Sequence, residues 1–86
     1  MKKPILFTLA QCIKCEEAKR YLEGVDIDVI QFPNTFGQWS SFEKDIAEKY
    51  GVLDDLKRTA PILVTENEKV VGQLRIKKWV NDNEEI

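Results

Sequence analysis

Cys12 and Cys15, separated only by Ile13 and Lys14, are the residues whose type and spacing can do chemistry. They follow the apolar run Ile5, Leu6, Phe7 and open a helical pattern. Two cysteines at this spacing lie within one helical turn, close enough to close a small disulfide ring, and the first lies where unpaired backbone N–H groups cluster. A thiolate is favoured there. Thiol–disulfide exchange needs an exposed sulfur that ionises to attack and a second sulfur to resolve the mixed disulfide. Cys12 is expected in the first role and Cys15 in the second, because Cys15, Ala18 and Leu22 share a core-facing stripe while Cys12 stays at the helix tip. Lys14 adds positive charge. Glu16 and Glu17 oppose it, but acidic residues in a first helical turn are ordinary dipole partners and are read as structural.

Other uses of the pair remain open at this level. Structural zinc takes four protein ligands, mostly sulfur or imidazole, and this chain has two thiols and no histidine, so no single-chain metal site is expected. An iron–sulfur cluster shared between two copies needs only thiolates from separate chains. Two small buried apolar side chains would be the bland alternative, and a strand-to-helix junction is a poor place to hide both. Met1, Lys2 and Lys3 before an apolar stretch faintly resemble a lipoprotein signal ending at Cys12. Pro4, Thr8 and the bulky Gln11 fit that pattern poorly, and the segment is read as a buried strand.

Composition bounds the rest. At 86 residues a single domain spanning 1–86 is expected, with 43% hydrophobic and 33% charged residues and a formal charge of −2. No apolar run is long enough to cross a membrane, and interleaved charges leave no nucleic-acid footprint. Neither a membrane nor a nucleic-acid partner is expected, and a monomer is. Two cysteines without a recognisable signal peptide fit a reducing cytoplasm, where a close pair is usually catalytic.

The elements that must position the pair follow from periodicity. Ile5 to Leu9 reads as a strand and Ile13 to Glu23 as a helix closed by Gly24. Val25 to Phe32 reads as a second strand, with Ile27, Val29 and Phe32 inward against Asp26, Asp28 and Gln31. Pro33, Asn34 and Gly37 mark a loop, and Ser40 with Glu43 has capping-box spacing for a helix whose apolar face is Phe42, Ile46, Ala47 and Tyr50. Gly51 ends or kinks it, and Leu53 to Leu56 continue as a short turn. Ile62 to Val64 and Lys69 to Val71 form a hairpin, and Ile76, Trp79 and Val80 mark a closing helix ending near Asn81. Phe36 and Trp39, before the second long helix, are expected to cap the core more than to bind a ligand.

This order, with Cys-x-x-Cys at the first strand–helix junction and Thr59-Ala60-Pro61 before the third strand, resembles the thioredoxin superfamily, and its short first strand resembles the glutaredoxin branch. The resemblance spans nearly the whole chain. It implies a three-layer α/β/α fold around a four-stranded mixed sheet in the order β-α-β-α-β-β-α. It also implies a dithiol–disulfide oxidoreductase with Cys12 and Cys15 catalytic and no bound cofactor. Lys14, Thr59, Ala60, Pro61, Gly72 and Gln73 would form the substrate site, with Pro61 after a cis bond and the Ala60 backbone pairing with an extended peptide or glutathione. The plain alternative for Pro61 is a strand-start proline. Implied partners are disulfide-containing proteins or glutathione, with glutathione or a thioredoxin-type reductase as electron donor. The family's glutathione motif, a Gly-Gly pair and an aspartate, is replaced by Val71-Gly72-Gln73-Leu74-Arg75, and Ile13-Lys14 replaces the usual Pro-Tyr. The segment from Gly72 to Lys77 is instead similar to small redoxins that are reduced by thioredoxin reductase and serve ribonucleotide reductase. A glutaredoxin-like module holding a metal or cluster is the binding-class alternative.

Overall fold

The computed structural model describes residues 3–83. Its strands are β1 (Ile5–Leu9), β2 (Asp28–Phe32), β3 (Ile62–Val64) and β4 (Lys69–Val71). Its helices are α1 (Ile13–Tyr21), α2 (Ser41–Lys49), α3 (Leu53–Arg58) and α4 (Gln73–Asn83), with a short 3₁₀ turn over Phe36–Gln38. The sheet order is β2-β1-β3-β4, parallel between β1 and β2 and antiparallel elsewhere. This is the mixed sheet that the resemblance implies. The second helical region is two helices, because Gly51 turns the chain at φ 72° between α2 and α3.

β1 is central, and a strand covered on both faces reads as a continuous apolar run rather than an alternation. Leu6 and Phe7 are both fully buried and point to opposite layers. On one side Leu6, Leu63 and Val70 pack with Ala18 and Leu22 of α1 and Ile76 and Val80 of α4. On the other, Phe7, Phe32 and Ile62 pack with Ala47 of α2 and Leu56 of α3. Opposite Phe7, the rings of Phe32 and Tyr50 lie 5.9 and 5.5 Å away between centroids.

Two expected faces are corrected. Val29 is exposed and Ile30 faces the core in its place, beside Phe32, which is buried as expected, because β2 is an edge strand and only its α2/α3 side is well covered at that height. Phe42 is 72% exposed: it lies in the first turn of α2, while Ile46, Ala47 and Tyr50 face the sheet. The capping box itself forms, with Glu43 N–H donating to Ser40 Oγ at 3.1 Å and Ser40 N–H to Glu43 Oε1 at 2.8 Å. β2 begins at Asp28 rather than Val25, and α1 ends at Tyr21 with Gly24 following at φ 85°. α4 runs beyond Asn81 to Asn83.

Candidate functional site

Between Leu9 and Ile13 the chain must pass from strand to helix in three residues. Gln11 makes the turn at φ 56°, a left-handed conformation uncommon outside glycine. The loop after β2 braces it: Ala10 N–H donates to Phe32 C=O at 2.9 Å, and Asn34 Nδ2 donates to Ala10 C=O at 2.9 Å. That loop is fixed in turn by Trp39, whose Nε1 donates to Pro33 C=O at 2.8 Å and whose ring packs on Phe32 and Phe36 at 4.7 and 5.0 Å. Trp39 is buried, as expected of a core cap.

Cys12 is the N-cap of α1, its sulfur standing where a serine or aspartate oxygen commonly sits. Sγ accepts from Cys15 N–H at 3.2 Å, and the Cys12 carbonyl accepts the first helical bond from Glu16 N–H at 3.1 Å. Cys12 is partly exposed and Cys15 fully buried, so the two sulfurs have different environments. Ala18 and Leu22 are buried with Cys15, but they pack toward α4, whereas Cys15 reaches over the end of β1 into the Phe7 and Phe32 cluster. Leu9 N–H donates to Cys15 Sγ at 3.4 Å. Burial pushes the Cys15 thiol up to about 12, and its hydrogen bond to Cys12 and the charge on that sulfur add to the rise. The Leu9 amide and Lys19 act in the opposite direction.

The two glutamates of the first turn have structural partners. Glu16 pairs with Lys19 at 3.1 Å on the surface. Glu17 accepts from Gln73 Nε2, which also donates to Tyr21 Oη at 3.4 Å, so α1 is tied to the start of α4.

The third segment arrives from α3. Thr59 closes that helix, donating its N–H to Asp55 C=O at 2.7 Å, and runs on in extended backbone. The Ala60–Pro61 bond is cis, as the resemblance implies. Pro61 C=O accepts from Gly72 N–H at 2.9 Å, which joins this segment to the start of α4. Gly72 has φ 97°, where a side chain would be strained.

Two hollows open onto this junction. One, of about 360 Å³, holds Cys12 at its edge beside Phe36, Trp39, Leu56, Lys57 and Arg58. The other, of about 390 Å³, is bordered by Gly72, Gln73, Leu74 and Arg75. Lys14, Thr59 and Ala60 line both. Of the expected site residues, Pro61 and Cys15 lie buried and line neither, and the Gln73 amide is engaged by Glu17. Gln11, Asn34, Lys57 and Arg58 escape sequence reasoning. Pro33-Asn34 marks a turn, but nothing local says that Asn34 bonds a carbonyl 24 residues earlier.

No protein-family model matches the chain, and no curated protein sequence matches it. Among solved structures it is similar to the crystal structure of a glutaredoxin from Archaeoglobus fulgidus, with 23% identity and a TM-score of 0.66 over 91% of this chain and 85% of that one. The chain therefore has the thioredoxin-like fold of a glutaredoxin. Among the described residues no helix is long and apolar enough to cross a membrane.

Proposed function

We propose that the chain is a dithiol–disulfide oxidoreductase in which Cys12 attacks and Cys15 resolves. The observation that carries this reading is the asymmetry of the pair: Cys12 caps α1 at the edge of a hollow, and Cys15 is sealed behind it. The Cys12 thiolate attacks one sulfur of a substrate disulfide, forming a mixed disulfide and expelling the other substrate sulfur as a thiolate. Cys15 then gives up its proton, to solvent or to the substrate thiolate expelled first, and attacks Cys12 Sγ. The Cys12–Cys15 disulfide forms, the remaining substrate thiolate leaves, and two electrons have passed to the substrate.

Burial first, and contact with Cys12 second, raise the Cys15 thiol in the reduced state. Once Cys12 is in a disulfide it is uncharged and no longer accepts a hydrogen bond as a thiolate, so two of the influences raising the Cys15 thiol are lost. The Leu9 amide and Lys19 remain to support a thiolate there. Burial, the largest influence, is unchanged, so attachment of a substrate lowers the Cys15 thiol only in part. Thr59 and Ala60, lining both hollows, would carry the substrate backbone, and Lys14 the charge beside it. Disulfide-containing proteins are the proposed substrates, and a thioredoxin-type reductase or glutathione returns the electrons.

Reduction of 2-hydroxyethyl disulfide or insulin under a reductant tests the reading. The chain should catalyse either reaction, Cys12→Ser should be inactive, and Cys15→Ser should accumulate mixed disulfides visible in non-reducing mass spectra. Equal activity in Cys12→Ser would overturn the assignment.

A further inference from the structure

The surface around Cys12 differs in character from the chain as a whole. With 15 acidic against 13 basic residues the protein is net negative, yet among the described residues no aspartate or glutamate lines either hollow. Four cations do: Lys57 and Arg58 in the first, Arg75 in the second, and Lys14 in both. Lys57 Nζ stands 4.4 Å from the centroid of the Phe36 ring, against the apolar wall that Phe36 shares with Leu56. Its pairing with Asp54 is wide at 4.0 Å and exposed, which neutralises little. On the far side of Arg58 lies an acidic depression, but there Asp55 is already engaged by Lys69 at 2.5 Å.

Apolar exposure falls at the same place. Ile13, next to Cys12, is 78% exposed, and Leu74, beside Arg75 in the second hollow, is 76% exposed. Large side chains left this open at a basic rim fit a protein contact better than a small polar substrate. Because the hollows share Thr59 and Ala60, a chain laid across Ala60 with its sulfur at Cys12 enters both.

We infer that the substrate is an extended protein segment whose disulfide cysteine is flanked by acidic residues and a large apolar side chain. The apolar group seats against the half-buried Phe36, and the carboxylates face Lys57, Arg58, Lys14 and Arg75. This rests on the exchange reading above and adds the class of partner to it. Charges on such a rim act mainly on encounter, and salt screens them.

The test compares three oxidised probes. They are 2-hydroxyethyl disulfide and two synthetic peptides of equal length with one internal disulfide each, flanked by leucine and either glutamates or lysines. At low salt kcat/KM for the acidic peptide should exceed that for the basic one by roughly tenfold. The ratio should shrink several-fold near about 0.5 M salt, and it should collapse or invert in a Lys57→Glu, Arg58→Glu double variant. Serine in place of the leucine should lower kcat/KM for the acidic peptide. Because each ratio is read within one protein, a general loss of activity cannot imitate the result. Turnover of the neutral disulfide with equal rates for the two peptides, or a preference that survives charge reversal, overturns the docking inference alone. Failure with all three probes overturns the exchange reading and this inference together.

Discussion

At the scale of single residues, the two sulfurs differ by burial far more than by chemistry. Cys12, partly exposed and capping α1, should take nearly all the label in brief treatment with limiting iodoacetamide, read by mass spectrometry after digestion. Preferential labelling of Cys15 would reverse the roles. The raised Cys15 thiol also makes stability depend on pH. Its ordinary value is 9.0 and its folded value about 12, so in that window the unfolded chain gives up a proton that the folded chain keeps. The stability tied to Cys15 is therefore fully present below about pH 9 and is lost as pH rises toward 12. Urea unfolding of the reduced protein across that range should show a steeper decline than the Cys15→Ala variant does. Equal slopes would count against the buried, protonated Cys15.

At the scale of elements, the site depends on helix ends. α2 starts with a reciprocal capping box, and Ser40→Ala should cost about 1 kcal/mol in urea unfolding. Phe42→Ala, two residues further on, should change stability by no more than about 0.5 kcal/mol, because that ring is in solvent. A larger loss at Phe42 would restore it to the core. At the other end of the site Gly72 carries β4 into α4 at φ 97°, and an added Cβ would meet nothing within 4 Å. Gly72→Ala should thus be a purely conformational cost, about 1 to 2 kcal/mol by the same measurement.

At the scale of the whole molecule, the sheet carries two cores, and the site lies at one end of it, in two hollows lined by the end of β1 and α3 on one side and the start of α4 on the other, joined by Lys14, Thr59 and Ala60. This arrangement bears on the electron donor. The Gln73 amide is taken by Glu17, and Gln73, Leu74 and Arg75 stand where the resemblance places a second glycine, a small polar residue and a carboxylate for the γ-glutamyl end. Glutathione should therefore be the poorer reductant. In NADPH-coupled assays a thioredoxin-type reductase should support faster turnover than glutathione with glutathione reductase. Glutathione turnover at or above that rate would show that the segment from Gln73 to Arg75 does not impair the site.

The order of elements, the Cys-x-x-Cys junction, the capping box at Ser40 and the burial of Cys15 were legible in the sequence, because each depends on local spacing or on a continuous apolar run. The exposure of Val29 and Phe42 was not, since periodicity tells which residues share a face and not whether another layer covers it. Nor was the bracing of the Cys12 turn by Asn34 and Trp39, or the gathering of Lys14, Lys57, Arg58 and Arg75 along two adjoining hollows, one of them edged by Cys12. Those groups lie far apart in sequence and in interleaved charge look like solvated surface. Only the tertiary placement of α3 and of the start of α4 on either side of Lys14, Thr59 and Ala60 brings them to two hollows that share those three residues.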